Sequence, residues 1–589
     1  MRATDRVAPA LALALALVSG PAVSLSALAQ ADEAAGSDKV AERTAKSDLP
    51  LDHVRANMAL PYVALGFTVD PATKTISGEA RYRVEARAQL DGLAFDLDPR
   101  FVISKIRVNG QAVQWSNPDG LLSIALEHTL ASGEEVQVAI AWSGTPHVAK
   151  MPPWDGGFTW SSAEDAEDNP QPWIATAIQG EGCDMFWPCI DHSSSRITLM
   201  DLAITVPEPL VAAGNGALQG VEHAQGWATW RWRAKFPNNY GVTLQIGPYE
   251  LAERDYASRY GSTIPLKFWY LPGHGEGAER LLSELAQSIA FFEEVIGPYP
   301  FGDEKAGIAE TPHLGMEHQT INAYGNAFKA DPLGYDWLLA HEFAHEWFAN
   351  QLTQTSENHM WLHEGLGTYM QPLFLEWARG RMLADAELWN NRKQIVSRVP
   401  LVPPDGERPD YMDEESAWGR DIYYKGAWVA HSLRYLLGDE AFFESLTRLV
   451  YDRPDPRPGN FVPVSRNTAD FQAIAEAVSG RDLGWFFDAY LYKAPLPQLV
   501  ATREGGWLDL AWESGSDRPF AMPVEVRVGG RTETVSMEGG KGRIDLGNED
   551  AHFLLDPDNR ILRYDAAIAT WQAERHAAKQ ASPAADSSD

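Results

Sequence analysis

The sequence predicts a multidomain α+β protein, and three observations support this fold class. The chain has 589 residues, more than one domain usually contains. Hydrophobic residues make up 45% of the chain and Trp occurs 21 times, which provides for large cores and excludes a chain disordered throughout. The hydrophobic period changes along the chain, from the two residues of strands to the 3.6 of helices and back again.

The first 29 residues have the pattern of an export signal. Arg2 and Arg6 precede the apolar run VAPALALALALV, and small residues ending at Ala29 suit signal peptidase. The run is too short to be a stable membrane anchor, although a retained helix is the alternative. We therefore expect cleavage after Ala29, a flexible leader over 30–48, and an exported protein, periplasmic or secreted.

Residues 49–254 predict a large antiparallel β-sheet domain. Runs such as ARYRVEARAQL, VQVAIAWSG and WATWRWRAKF alternate apolar and polar side chains, and turn signals such as Asn109-Gly110 separate them. Cys183 and Cys189 are the only cysteines, so a cysteine-based zinc site is excluded. Their short spacing favours two buried thiols, with a disulfide as the alternative.

Residues 255–496 predict a mainly helical domain, because apolar residues now recur at helical spacing. The runs AERLLSELAQSIAFFEEVIG, LHEGLGTYMQPLFLEWARG and YYKGAWVAHSLRYLLG each end at a glycine, a common stop signal for a helix. Short strands return over 497–565 and predict a small β-sandwich. The tail, 566–589, predicts a short helix that frays into disorder.

The formal charge of −32 argues against a nucleic-acid partner, because such proteins need clusters of Lys and Arg. A strongly acidic surface is typical of a well-solvated protein. It also fits attraction of cationic ligands, such as peptides with a free amino terminus, but net charge alone does not decide this.

The stretch HEFAH predicts a metal site. His341 and His345 are four residues apart, so both lie on one face of a helix and can hold one ion, with Glu342 able to reach water bound to it. We expect Asp331 to cap this helix and Pro332 to lie in its first turn. A coincidental pair of histidines on a solvated helix face is the alternative.

Catalytic zinc takes three protein ligands and leaves a fourth position for water. Glu364 is the candidate third ligand, because a polar break, TQTSEN, separates the first helix from a second helix that carries it. Two antiparallel helices would bring Glu364 opposite the histidines. We expect His359 and His363 not to be ligands, since a histidine near a metal site more often lies outside the ligand set.

The spacing of these residues, with WLHEG around Glu364, resembles the gluzincin metallopeptidases, and in particular the aminopeptidase N and leukotriene-hydrolase family. HLGMEHQT resembles the Gly-x-Met-Glu-Asn motif of that family, which contributes Gly315 and Met316 to substrate binding. RDIYYKGAWVAHSL resembles its Tyr-x-Lys-Gly segment, and QGEGCDMFWPCID resembles a segment that ends in Pro-Cys-x-Asp. Together these motifs cover roughly residues 50 to 565.

The resemblance implies a saddle-like N-terminal sheet domain, a thermolysin-like catalytic domain and a role for each matched residue. Glu317 matches the glutamate that binds the free α-amine of the substrate, and Gln179 matches a position that shares this duty. Tyr423 matches the tyrosine that supports the developing oxyanion, with Tyr424 as the alternative if the register is shifted by one. The large C-terminal helical domain of many relatives is expected to be absent.

Three positions depart from the family pattern. Leu314 replaces the first Gly of the exopeptidase motif, His318 replaces its Asn, and Asp184 stands where a basic residue is frequent. The first two differences bear on contacts with the substrate backbone and leave Glu317 unchanged.

The resemblance therefore implies an exported zinc aminopeptidase with one Zn²⁺ per chain, held by His341, His345 and Glu364. A zinc-activated water would attack the first peptide bond, with Glu342 as general base. The expected partners are peptides with a free amino terminus. A non-catalytic peptide-binding module on the same fold and an epoxide hydrolase are the alternatives.

Overall fold

A computed structural model describes residues 40–178, 180, 182–329, 331–459 and 461–581. The predicted signal peptide and Gln179 lie outside the described residues, as do the first ten residues of the predicted leader. Within the described part of the chain, no helix is both long and apolar enough to cross a bilayer.

The N-terminal domain is built on an eight-stranded sheet. Its strands, in spatial order, are Ala217–Ala224, Trp227–Lys235, Leu199–Pro207, Met58–Asp70, Thr75–Ala86, Glu135–Gly144, Val102–Val108 and Gln111–Ala112. Buried and more accessible side chains alternate along most of these strands, because one face packs on the core and the other meets solvent. All neighbouring pairs are antiparallel except Met58–Asp70 with Leu199–Pro207, which is parallel.

Two smaller sheets complete this domain. One contains, in spatial order, Val211–Ala213, Gln245–Gly247, Pro170–Ala177 and Gly157–Glu164, and the other contains Leu90–Asp96, Leu121–Leu130 and Trp115–Ser116. A short helix, α1 (His53–Ala56), precedes the first long strand, and its N-cap is Asp52, whose side chain accepts a hydrogen bond from the Arg55 amide.

The structure corrects the prediction for the two cysteines, since Cys183 and Cys189 form a disulfide. A 3-10 turn over Cys183–Met185 bends the segment so that the two Cα atoms lie 6.2 Å apart, within the usual range for a disulfide. Sequence spacing alone did not reveal this approach.

The part of the predicted leader that the structure describes is packed rather than flexible. The Thr44 hydroxyl donates to Asp184 at 2.6 Å, and the Ser47 hydroxyl donates to Asp191 at 3.0 Å. Asp48 accepts a hydrogen bond from the Glu357 amide of the helical domain at 2.8 Å. Residues 40–48 therefore contact both domains, because polar partners there satisfy their side chains.

The second domain combines a five-stranded sheet with most of the helices. The strands, in spatial order, are Glu250–Ala257, Thr263–Tyr270, Ala306–Glu310, Asn322–Tyr324 and Gly315–Met316. The helices are α2 (Gly275–Val295), α3 (Trp337–Ala344), α4 (Glu364–Arg379), α5 (Arg381–Arg392), α6 (Trp418–Leu437), α7 (Asp439–Tyr451), α8 (Thr468–Ser479) and α9 (Gly484–Phe487). Apolar stripes on these helices meet in one large core.

The remaining elements of this domain are short. They are the π-helical segments Glu346–Gln351 and Asp488–Tyr492, the 3-10 helix Glu357–Leu362, and the paired strands Leu352–Gln354 and Val464–Arg466. The strand Gly315–Met316 lies at the edge of the five-stranded sheet and pairs only with Asn322–Tyr324 among the described residues.

The C-terminal region forms two three-stranded sheets, as the alternating pattern predicts. One contains Gln498–Glu504, Trp507–Glu513 and Lys541–Asp545, and the other contains Arg531–Val535, Val524–Val528 and Phe553–Leu555. A 3-10 turn, Glu538–Gly540, precedes one of these strands, and the helix α10 (Ala566–Ala581) follows the sheets. These elements confirm the predicted multidomain α+β fold.

Candidate active site

His341, His345 and Glu364 meet at one point in the core of the second domain. The Nε2 atoms of the two histidines are 3.2 Å apart, and each lies 3.3 Å from Glu364 Oε2. A tetrahedral zinc ion with bonds of about 2.0–2.1 Å holds its ligands about 3.3 Å apart. The three buried donor atoms therefore fit the size and chemistry of such an ion.

Helix α3 carries both histidines, and its start differs from the prediction. Its N-cap is Asp336, whose side chain accepts a hydrogen bond from the Leu339 amide at 3.0 Å, whereas Asp331 lies five residues earlier. Asp336 also accepts a hydrogen bond from the Tyr324 hydroxyl at 2.6 Å, so contact with the sheet selects it as the cap.

The end of α3 orients the second histidine. The α-helix ends at Ala344, His345 is the C-cap, and a π-helical segment follows in which Phe348 has the non-helical angles φ −108° and ψ 46°. The Phe348 carbonyl oxygen lies 3.3 Å from His345 Nδ1. A proton on Nδ1 donates to this carbonyl and leaves Nε2 free to act as a ligand. The single long helix expected from sequence thus ends in a π-helical segment, and such segments often occur at functional sites.

Glu364 is the first residue of α4, where the positive end of the helix dipole favours a carboxylate. Burial alone would raise the pKa of Glu364, but His345 and the hydrogen bonds with both histidines hold that pKa well below its usual range. A Cβ atom at Gly367 would lie 2.9 Å from the His345 ring, so glycine allows α4 to approach the histidine this closely.

Glu342 is buried beside this cluster and faces the cleft. A Cβ atom at Gly315 would lie 2.5 Å from Glu342 Oε1 and 2.7 Å from Leu338 Cδ1. The edge strand Gly315–Met316 can therefore approach the carboxylate only because glycine stands there. Burial and the charge of Glu317 raise the pKa of Glu342 well above its ordinary value.

Glu317 is a second carboxylate close to Glu342 and His345. Side-chain donor atoms of Glu317, Glu342 and His345 all lie within 4.8 Å of one another. The Tyr240 hydroxyl donates to Glu317 Oε1 at 3.1 Å, and Asn350 Nδ2 donates to the Glu317 carbonyl oxygen at 2.9 Å. Glu317 is thus a buried carboxylate, and burial raises its pKa.

The surroundings of Gln179 are described although this residue is not. Its neighbours Ile178 and Gly180 line a small pocket of about 30 Å³ together with Glu317 and Tyr240. The residues on both sides of Gln179 thus line the same pocket as Glu317, while Gln179 itself lies outside the described residues.

Tyr423 lies over the first histidine. Its ring stacks on His341 with a centroid distance of 5.8 Å and an interplanar angle of 27°, whereas Tyr424 lines the cleft beyond it. Helices α4 and α6 cross at two glycines, since a Cβ atom at Gly426 would lie 2.7 Å from the Gly365 Cα atom. This close crossing holds Tyr423 near the histidines.

The other polar residues of the motif region have separate partners. His363 Nε2 accepts a hydrogen bond from the Gln354 amide at 3.2 Å, and His359 Nδ1 lies 3.0 Å from Thr468 Oγ1. Glu346 accepts a hydrogen bond from the Thr320 amide at 2.8 Å. These three side chains do not belong to the groups whose donor atoms converge on one point.

Sequence reasoning missed Tyr240 and the glycines of the helix contacts. Tyr240 lies 77 residues before Glu317, within a turn that has no motif of its own. Gly367 and Gly426 stand inside helices, where an isolated glycine is unfavourable unless packing requires it. An unfavourable glycine within a helical pattern is the local signal that could have indicated Gly367 and Gly426.

A cleft of about 570 Å³ runs along α3, and its lining includes His341, Glu342, His345, Glu364, Glu317 and Tyr423. Glu317 lies near His345 at the C-terminal end of this helix. Trp337, at the N-terminal end, and Asp331 line the other end of the cleft. With a rise of 1.5 Å per residue, the eight positions from His345 to Trp337 span about 12 Å. Glu317 thus bounds one end of the cleft, and the end lined by Trp337 and Asp331 lies beyond the histidines.

Residues 319–490 match a family model described as the Peptidase family M1 domain. Among curated relatives, leucine aminopeptidase 2 of Aspergillus fumigatus is 24% identical over 413 residues, covering 66% of this chain and 63% of that protein. Aminopeptidase M1 of Arabidopsis thaliana is 24% identical over 393 residues, covering 61% of this chain and 42% of that protein. The chain therefore spans less than two thirds of the length of these relatives.

Solved structures show the same fold. An M1 zinc metallopeptidase from Deinococcus radiodurans superposes with a TM-score of 0.62 at 23% identity, covering 75% of this chain and 94% of that one. A mutant of that peptidase bound to a Tyr-Ser-Ala substrate has a TM-score of 0.62 at 21% identity, covering 77% and 98%.

Proposed function

We propose that this chain, which carries a Peptidase family M1 domain, is a zinc aminopeptidase that removes the first residue from peptides with a free amino terminus. One observation carries the proposal: a buried carboxylate, Glu317, closes the cleft within 4.8 Å of the group formed by Glu342 and His345. An ammonium group is the natural partner of such a carboxylate, so a peptide enters with its amino terminus first.

His341, His345 and Glu364 would hold one zinc ion, because two imidazoles and one carboxylate form a common set of catalytic zinc ligands. When bound, zinc would polarise the scissile carbonyl group and lower the pKa of a water molecule.

Glu342 acts as the general base. Its carboxylate lies beside the ligand cluster and lines the same cleft, so it can take a proton from the attacking water and deliver it to the departing amine. Burial and Glu317 raise the pKa of Glu342, which makes its carboxylate a stronger base than an exposed one.

Tyr423 donates its hydroxyl hydrogen to the oxygen that becomes negative as the water attacks. Its ring is stacked against His341, so the side chain is held on the metal side of the cleft. A hydrogen-bond donor at this position stabilises the negative charge that develops on this oxygen.

Glu317 binds the substrate ammonium, and Tyr240 fixes the carboxylate by donating to Oε1. Gln179 assists Glu317 from the N-terminal domain, and the edge strand Gly315–Met316 contacts the substrate backbone. A blocked amino terminus leaves the buried carboxylate unpaired, which disfavours acetylated and internal segments.

A panel of amino-acid amides tests this function on the purified mature protein, with and without a zinc chelator. We expect hydrolysis of free amides, complete loss after chelation, recovery with added zinc, and at least about a hundredfold slower cleavage of N-acetylated substrates. Equal cleavage of acetylated and free substrates would contradict the exopeptidase assignment. Zinc binding without hydrolysis would indicate a binding module, and hydrolysis of a lipid epoxide alone would indicate an epoxide hydrolase.

We further propose that the chain is exported and processed after Ala29. The basic start and short apolar run support this, and so does the Cys183–Cys189 disulfide, since disulfides persist in oxidising compartments. Sequencing the amino terminus of protein recovered outside the cytoplasm should give Gln30 first. A mature protein that still begins at Met1 would contradict this proposal.

A further inference from the structure

Arg420 is a cation in the wall of the active-site cleft, and its charge also acts on the buried carboxyl group of the adjacent Asp421. It is exposed, lines the cleft, and forms no side-chain hydrogen bond or ion pair with any residue that the structure describes. The other charged side chains in the lining, apart from the histidines, are carboxylates. In a chain with a net charge of −32, an unpaired arginine is available to bind an anion from outside the protein.

Arg420 lies towards the downstream end of the cleft. Arg420 and Tyr424 are four positions apart on α6, and both line the cleft together with Glu387. Glu387 in turn neighbours Tyr335 and Asp331, at the N-terminal side of α3. This is the end opposite Glu317, where the part of a substrate that follows the cleaved bond must lie.

The spacing of Arg420 from Tyr423 fits a short peptide. Arg420 stands three positions before Tyr423 on α6, which is about 4.5 Å along the helix axis. An extended chain advances about 3.3–3.6 Å per residue, so the terminal carboxylate of a di- or tripeptide lies about 3.5–7 Å beyond the scissile carbonyl. A guanidinium group can meet a carboxylate at this distance with two parallel hydrogen bonds.

We infer that Arg420 binds the C-terminal carboxylate of di- and tripeptide substrates, an inference that rests on the proposed aminopeptidase function. Glu317 then binds the ammonium group at one end of the cleft and Arg420 binds the carboxylate at the other. A short peptide is recognised at both of its ends, whereas a long peptide or a terminal amide is recognised only at its amino terminus.

Two carboxyl groups near Arg420 weaken its attraction for a substrate carboxylate, and one of them provides a second variant for the test. Asp331 and Glu387 line the cleft together with Arg420. Negative charge there weakens the attraction for a carboxylate. Removing the Glu387 charge should therefore strengthen the preference for free-acid peptides, opposite to the effect of removing the Arg420 charge.

The test compares kcat/KM of the zinc-loaded protein for Ala-Ala and Ala-Ala-Ala with kcat/KM for the same peptides amidated at the C-terminus. We expect the native protein to prefer the free acids about five- to tenfold, and added salt to reduce this ratio because Arg420 is exposed. The ratio should fall to about one in Arg420→Gln, stay partly intact in Arg420→Lys, and rise in Glu387→Gln.

Arg381→Gln is the matched control, because Arg381 is exposed and lines no part of the cleft. It removes the same charge and should leave the ratio unchanged. A native ratio near one, or an unaltered ratio in Arg420→Gln, would overturn the inference while the amides are still cleaved. If neither acids nor amides are cleaved, the proposed function itself fails.

Discussion

Glu342→Gln is expected to lower kcat by about a thousandfold while the protein still binds one zinc ion per chain. The amide keeps the size and shape of the carboxylate but cannot accept the proton from water at neutral pH. The donor atoms of His341, His345 and Glu364 are unchanged, so metal affinity should survive. Steady-state kinetics on an amino-acid amide together with metal analysis of the same sample measure both quantities.

Glu346→Gln is the matched control for this change. Glu346 lies one helical turn further along and is also buried, but its Oε1 atom accepts hydrogen bonds from the Thr320 amide and the Asn322 side chain. A glutamine oxygen can accept the same two bonds, and only the longer bond from Asn350 Nδ2, at 3.4 Å, is lost, so most of the turnover should remain. Near-native turnover in Glu342→Gln would show that Glu342 is not the general base. Loss of zinc in that variant would contradict the assigned ligand set, and its kinetics would then say nothing about the base.

Glu317→Gln is expected to lower kcat/KM for free-amine substrates by about a hundredfold or more. Loss of a buried partner for a charged group usually costs about 2–5 kcal/mol, and each 1.4 kcal/mol is a tenfold change. Cleavage of N-acetylated substrates is already poor and should change little, so the preference for a free amine should shrink. Parallel kinetics on one free peptide and its acetylated form give this preference directly.

Tyr240→Phe distinguishes the effect of the Glu317 charge from the effect of its orientation. This variant removes only the hydroxyl that donates to Glu317 Oε1, and the loss of one such hydrogen bond should cost about fivefold. If Glu317→Gln lowers cleavage of free and acetylated substrates by the same factor, Glu317 does not bind the ammonium group. A larger effect from Tyr240→Phe than from Glu317→Gln would likewise contradict the assignment.

The sequence was sufficient for features that depend on local periodicity. Alternating side chains predicted the sheets, because strands repeat every two residues, and the four-residue spacing of His341 and His345 predicted their shared helix face. The residues that cap helices were less predictable. Asp336 rather than Asp331 caps α3, because Asp336 also accepts a hydrogen bond from Tyr324 of the neighbouring strand.

By itself, then, the sequence determined which elements form and which side chains of a motif share a face, since neighbouring residues fix those relations within one or two turns. Only the tertiary structure decided which distant residues meet. Tyr240 reaches Glu317 across 77 residues, and Gly367 lets α4 approach His345 to within contact distance. These contacts depend on how whole elements pack, and packing minimises the free energy of the entire core rather than that of any one segment.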